Sequence, residues 1–268
     1  NISGLSEPLM KPDVLFAVME ILKAYNVFGE LTTNGTLWNE KYVKKTVEMG
    51  WDSVCVSIDA PDAKTHDYLR GVKGTFKKAT TTVKLFSKYK KRFDSDLPVV
   101  TINVVLNKLN YRKLVEMVKM ANELGADSIF VEPMVIFTEM SKPLKMNEKE
   151  IDEFYNVVIE AKDVAKDFGI FLDVTPITPY KDYDKELIKG TGETIRDKLI
   201  KEAEKYNDPI FSIPCYYPWF YLMIRADGSV APCGELNKFK ETVRGKSLKD
   251  VWFGKTFEKI REDFLNKR

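Results

Sequence analysis

The run VVTINVVLNKLNYRKLVEMVKMANELGADSIFVEPMV, residues 99–135, decides the fold class. Val99–Leu106 is rich in β-branched residues and reads as a strand. Tyr111–Leu124 is amphipathic and stops at Gly125, the residue type that accepts the left-handed conformation after a helix. Ser128–Val135 reads as a second strand. A strand, a helix and a strand of these lengths predict parallel pairing through a right-handed crossover.

The same rhythm runs outward in both directions. Asp13–Tyr25 reads as a helix, Gly29–Thr33 as a strand, and Asn39–Met49 as a helix with Asn39 as its N-cap. Ser53–Ile58 reads as a buried strand, Phe76–Lys91 as a helix, Glu148–Phe168 as a long helix and Ile170–Val174 as a strand. The chain is therefore α/β, and periodicity alone leaves a barrel and a doubly wound sheet both open. Tyr180–Tyr206 is charged and reads as a mostly helical connection. Ser247–Phe264 reads as a helical stretch interrupted near Gly254.

Composition narrows the function classes. The 268 residues carry 42 basic and 40 acidic side chains, a net charge of +2, so charge gives no case for a nucleic-acid partner. Hydrophobic residues make up 44%, ample for a core, yet no apolar run is long enough to span a bilayer. The basic run at 88–92 closes a helical pattern and reads as a solvated face. An odd count of three cysteines and no secretory pattern lead to the expectation of a reducing, cytoplasmic compartment. A charged content of 31% and a single histidine resemble the composition of a thermophile's protein.

In parallel α/β folds, ligand-binding groups gather at the C-terminal ends of strands. Here those ends are Ser3–Pro8, Thr32–Thr36, Ser57–Pro61, Asn103–Asn107 and Glu132–Pro133. All combine small or polar side chains with turn residues, which suits a polar small molecule. Taken singly, Asn34, Gly35 and Asp59 equally suit turns and caps. The one histidine, His66, reads as a turn or helix-start residue, and Cys55 as a packed core residue.

The other two cysteines, Cys215 and Cys233, have seventeen residues between them. They frame an apolar strand at Trp219–Ile224, a turn at Ala226-Asp227-Gly228, and a short second strand ending at Pro232. Thiolates so placed suit an iron–sulfur cluster, with a zinc site or two inert thiols as the alternatives. A reducing compartment argues against a disulfide.

The ordered set SGLSEPLM (3–10), TTNGTL (32–37), VSIDAPDAKTHDYLRG (56–71) and CYYPW with ADGSVAPC (215–219 and 226–233) resembles the radical S-adenosylmethionine (SAM) superfamily. Within it, the set resembles members with a SPASM or twitch-type C-terminal domain. The resemblance spans Ile2 to about Phe264. It implies a partial (β/α)6 barrel over 1–178, without its first strand–helix unit. A helical linker over 179–212 and a hairpin-plus-helix auxiliary-cluster domain over 213–268 would follow.

The resemblance also implies SAM-binding roles. Ser6 and Glu7, in the Gly4–Pro8 segment, would face the methionine ammonium. Asn34 closes the next strand. Ser57 and Asp59 would approach the ribose and methionine, and Asn103 the ribose. Arg70 would pair with the carboxylate, and Val131–Pro133 would bring backbone to the adenine. Cys215 and Cys233 would ligate an auxiliary iron–sulfur cluster, with Glu235 as a third candidate.

Two features depart from the family pattern. Leu5-Ser6 stands where a glycine pair is usual. The CxxxCxxC motif that holds the primary [4Fe–4S] cluster is expected upstream of Ser3, as if the sequence were part of a longer chain. The implied function is hydrogen abstraction from a small-molecule or peptide substrate by a 5′-deoxyadenosyl radical. Peptide or protein modification, dehydrogenation and cofactor maturation are its possible outcomes. A ferredoxin or flavodoxin is the expected reductant. The alternatives are a degenerate barrel that binds SAM or a peptide without catalysis, and an acid–base α/β-barrel enzyme using Glu132 and Asp59.

Overall fold

The computed structural model of the protein describes residues 1–4, 6–136, 139–175, 216–233 and 241–266. The chain divides into two compact units, Asn1–Tyr180 and Lys181–Arg268.

The first unit is a five-stranded parallel sheet whose strands follow chain order: β1 (Glu30–Thr33), β2 (Ser53–Ser57), β3 (Val99–Leu106), β4 (Ser128–Pro133) and β5 (Phe171–Val174). Ile2 adds a parallel bridge to Leu31, on the far side of β1 from β2. The crossovers are α1 (Pro12–Ala24), α2 (Glu40–Glu48), α3 (Ala63–Arg70), α4 (Thr75–Phe93), α5 (Leu114–Leu124) and α6 (Glu148–Phe168). Unbroken chain order is what repeated right-handed crossovers give when the sheet curls towards a barrel. This is the partial α/β barrel that the resemblance implies.

Side chains alternate along every strand. Leu31, Val54, Val56, Val100, Ile102, Val104, Ile129 and Val131 point one way, into a core shared with Val43 and Val47 of α2, Val83 and Phe86 of α4, and Met117 and Val118 of α5. The other face carries half-buried, mostly polar residues. One registered row is Thr32, Cys55, Thr101 and Ser128; the next is Ser57, Asn103, Phe130 and Asp173. Cys55 thus belongs to the polar face rather than the helix-covered core. Burial there pushes its thiol up to about 11, so it stays protonated.

Caps follow the sequence. Asn39 accepts from Tyr42 N at 3.0 Å, and Asn147 with Glu150 forms a reciprocal capping box on α6. Gly125 and Gly169 end α5 and α6 in the left-handed region. The helix α3 lay hidden in the motif DAKTHDYLR. Asp62 caps it by accepting from Thr65 N at 2.8 Å, and Gly71 ends it at φ +69°.

Within the second unit, the described residues hold α7 (Tyr217–Phe220), β6 (Met223–Ile224), β7 (Val230–Ala231), α8 (Leu248–Trp252) and α9 (Lys255–Asn266). The turn predicted at Ala226-Asp227-Gly228 is present: Gly228 N donates to Arg225 O at 2.8 Å, with φ +80°. The strand expected at Trp219–Ile224 shrinks to its last two residues. Pro218 suits a helix start, and the Tyr217 ring meets Phe220 in a tilted contact and Tyr221 edge-on, at centroid distances of 5.3 and 5.4 Å, the spacing a helical turn provides. Arg261 braces that turn, donating from Nε to Pro218 O at 3.0 Å and from Nη1 to Trp252 O at 2.9 Å. The break near Gly254 separates α8 from α9 as expected. The linker at 179–212 lies outside the described residues.

Gly35 marks how closely the first unit packs. Its φ is +73°, and a Cβ there would lie 2.9 Å from Ala79 Cα and 3.0 Å from Val56 Cγ1. Thr82 of α4 donates to its carbonyl at 2.7 Å. Gly35→Ala should therefore destabilise the first unit by roughly 2–4 kcal/mol, through overpacking and a disfavoured φ. Denaturant titration should show a fall in midpoint; an unchanged midpoint would show that α4 can retreat.

Candidate functional site

The strand ends carry a braced set of polar groups. At β1, the buried Thr33 hydroxyl accepts from Trp38 Nε1 and from Gly35 N, both at 3.0 Å, and donates to Glu7 Oε1 at 2.5 Å. The other oxygen of Glu7 accepts from Asn34 N at 2.8 Å. Asn34 Oδ1 in turn accepts from Thr36 N and Thr36 Oγ1, closing an Asx turn. Both carboxylate oxygens of Glu7 and the amide oxygen of Asn34 are thus engaged inside the chain. Ser6 is exposed, and Leu5 lies outside the described residues.

At β2 the hub is Asp59, only 5% exposed. Its Oδ1 accepts from Val105 N at 3.1 Å, and its Oδ2 lies 2.7 Å from Arg70 Nε. That ion pair is close but poorly aligned, because Nε is buried and makes no hydrogen bond. The main chain of Asp59 is held twice more. Its N–H donates to His66 Nδ1 at 3.0 Å, and its carbonyl accepts from Asn110 Nδ2 at 2.7 Å. Arg70 occupies the last turn of α3, folded back onto this knot.

At β3 and β4, Asn103 Nδ2 donates to Glu132 Oε1 at 3.0 Å. Its Oδ1 is buried with no partner. A buried amide oxygen without a donor is costly and points to a missing hydrogen-bond partner. Ser57 is registered beside Asn103 on the same face. Val131, registered with Val104 and Val174, turns its side chain into the core, so its main chain alone can face a ligand.

The structure therefore brings Ser57, Asp59, Arg70 and Asn103 to neighbouring strand ends. Glu7 and Asn34 form the separate brace at β1. The sequence reading passed over His66 and Asn110 as site residues. The spacing of Asn107 and Asn110 after β3 was the available signal, since Asn at a strand exit favours side-chain-to-backbone bonds.

The fit to SAM rests on two observations: the partnerless Asn103 oxygen, and an Arg70 guanidinium that makes no hydrogen bond to a described residue and only an ion pair, through Nε, with Asp59. An adenosyl amino acid offers ribose hydroxyls to the first and a carboxylate to the second. For iron–sulfur chemistry the donors are thiolates. Cys233 follows β7 as a half-buried free thiol, and Cys215 and Glu235 lie outside the described residues. Cys55, on β2, belongs to neither group, and no CxxxCxxC run occurs in the 268 residues. None of the described helices is long and apolar enough to cross a membrane.

Comparison with known proteins agrees with these features. The Radical SAM superfamily model matches residues 2–121, and the SPASM model, an iron–sulfur cluster-binding domain, matches residues 215–268. The AdoMet-dependent heme synthase of Methanosarcina barkeri is 25% identical over 257 residues, covering 96% of this chain and 69% of that protein. The tungsten-containing aldehyde ferredoxin oxidoreductase cofactor-modifying protein of Pyrococcus furiosus is 27% identical over 284 residues, covering 96% and 68%. The crystal structure of Streptococcus suis SuiB superposes with a TM-score of 0.66 at 17% identity, covering 96% of this chain and 56% of SuiB. SuiB bound to its precursor peptide SuiA gives a TM-score of 0.61 at 19% identity, covering 96% and 54%. The chain spans about two thirds of the two curated relatives and little more than half of SuiB.

The Glu7 brace yields a prediction. Glu7→Ala should cost about 1.5–3 kcal/mol of stability, the range for hydrogen bonds to a charged group. Chemical denaturation measures it. If Glu7 faced only a ligand, stability would be unchanged and only ligand affinity would fall.

Proposed function

Because the chain belongs to the radical SAM superfamily and carries a SPASM domain, we propose that it is a SAM-cleaving enzyme that modifies a peptide or a cofactor precursor. When SAM and a reduced [4Fe–4S] cluster are bound, the chemistry they supply is one-electron cleavage to a 5′-deoxyadenosyl radical for hydrogen abstraction. The cysteines of that primary cluster are not assigned within this chain. A ferredoxin or flavodoxin would supply the electron.

The chain's own part is to bind and orient. Arg70 would clamp the SAM carboxylate through its Nη fork while Asp59 holds Nε. Asn103 Oδ1 would accept from a ribose hydroxyl, with Ser57 alongside. Val131 to Pro133 would lend main-chain groups to the adenine. Ser6 would stand near the methionine ammonium, and Glu7 and Asn34 would hold that strand end in shape. Cys215 and Cys233 would donate thiolates to the auxiliary cluster. We read the chain as a partial radical SAM barrel over 1–178, a helical linker over 179–212 and an auxiliary-cluster domain over 213–268.

The observation that carries this reading is the pairing of a partnerless Asn103 oxygen with the half-engaged Arg70 at adjoining strand ends. The choice of a peptide or cofactor precursor draws on the relatives: SuiB is crystallised with a precursor peptide, and the Pyrococcus furiosus protein is named for modifying a cofactor.

Anaerobically reconstituted full-length protein should release 5′-deoxyadenosine on reduction with SAM. Arg70→Ala should weaken SAM binding by ~1.5–3 kcal/mol, the worth of a charged hydrogen bond. An unaltered affinity would return Arg70 to a structural role.

Cys215→Ala and Cys233→Ala should each lower iron and sulfide content after reconstitution. Unchanged content in both variants would remove the auxiliary cluster from these thiols.

A further inference from the structure

His66 is 1% exposed and lies on α3, where its ring packs 5.8 Å from that of Phe76. Its Nδ1 accepts from Asp59 N at 3.0 Å. An imidazole accepts at Nδ1 only when neutral, with its proton on Nε2. Protonation would set a donor against a donor and place a second cation beside Arg70.

The charged groups acting on His66 are Asp59, Arg70 and Asp67. Both carboxylates already serve other groups. Asp59 is taken by Val105 N and Arg70. Asp67 accepts from Gly74 N at 2.6 Å, and from Phe76 N and Thr75 Oγ1 at 2.8 Å, at the start of α4. Burial, first among the causes, lowers the imidazole below its ordinary value of 6.5.

We infer that His66 is a positioning residue for SAM: its neutral Nδ1 fixes the Asp59 main chain, so that the Asp59 carboxylate holds Arg70 Nε and leaves the Nη fork for the ligand carboxylate. The inference rests on the assignment of Arg70 to that carboxylate. His66 itself touches no ligand. Its effect is confined to ligands that carry the carboxylate.

The test compares SAM with methylthioadenosine, which keeps the adenosyl thioether and lacks the amino acid. Equilibrium dialysis on the full-length, cluster-loaded protein gives both affinities. His66→Leu should weaken SAM roughly tenfold, about the loss of one charged hydrogen bond. It should leave methylthioadenosine unchanged. His66→Asn, whose Oδ1 can accept in place of Nδ1, should restore SAM binding. In an Arg70→Ala background, His66→Leu should add nothing.

Equal losses for the two ligands, or additivity with Arg70→Ala, would overturn the inference and leave His66 a packing residue. If Arg70→Ala does not change the ratio of the two affinities, the carboxylate assignment itself is wrong. If Arg70→Ala changes the ratio and His66→Leu does not, only the role of His66 is lost.

Should His66→Leu fail to fold, the pH profile decides. A lowered imidazole is neutral in the fold at neutral pH, and the folded protein protonates it only as pH falls through a value below the ordinary 6.5. The wild-type SAM-to-methylthioadenosine preference should decline in that acid window, and His66→Asn should flatten the decline. The same slope in both proteins would refute the inference.

Discussion

The parallel register of β1–β5 is the constraint on which the rest depends. With a side-chain period of two, a slip of one residue in any strand would turn its apolar set outward and its polar set into the core. The register instead aligns Leu31 with Val54 and Val100, and Thr33 with Val56, Ile102 and Ile129, all towards the helices. The same alignment places Ser57 beside Asn103 on the opposite face. Burial of the apolar rows thus sets the site geometry indirectly. The helices hold one face, and the polar side chains of the other are positioned as a consequence.

At the strand ends the carboxylates serve the chain before any ligand. Glu7 joins its loop to β1, Asp59 joins β2 to β3, and Asp67 caps α4. Each accepts main-chain N–H groups that a strand exit or a helix start leaves unpaired, an economical use of a charge. The opposite end of the sheet is tied in the same way. Asp52 accepts from Gly29 N at 2.8 Å and pairs with Lys23, and Asp127 accepts from Val100 N at 2.7 Å and pairs with Lys90. Among the described residues at the strand ends, what remains for a ligand includes the Asn103 amide oxygen and the outer fork of Arg70.

The sequence revealed the long elements and hid the short ones, for a physical reason. Val99–Leu106 and Glu148–Phe168 were legible to the residue, because both are long enough for periodicity and caps to agree. The eight-residue α3 is held mainly by its caps and by His66 packing inward, so its polar sequence reads as loop. Tyr217–Phe220 misleads in the other direction. Aromatic residues raise strand propensity, but Pro218 and the contacts of Tyr217 with Phe220 and Tyr221 close a helical turn. The strand-end motifs located the site, while the pairing of Asp59 with Arg70 joins residues on different elements and could not be read from spacing. Cys55 shows the same limit: a strand of apolar neighbours concealed which face its thiol occupies.

The pairing of Asp59 with Arg70 also bears on how strongly such a site can bind. A guanidinium already beside a carboxylate is partly neutralised, which weakens its pull on a second anion. In return, its side chain is ordered before the ligand arrives, and ordering a long cationic side chain costs about 2 kcal/mol when binding must supply it. The Asp59 contact is made through Nε and is poorly aligned, so the parallel Nη donors that match a carboxylate stay uncommitted among the described residues. A tighter, two-pronged contact would consume that fork and convert the site into a buried ion pair. The one-sided contact gives up some internal stability and keeps the recognition geometry available. A contact through a single nitrogen orders an arginine only where the carboxylate is itself held, as Val105, His66 and Asn110 hold Asp59.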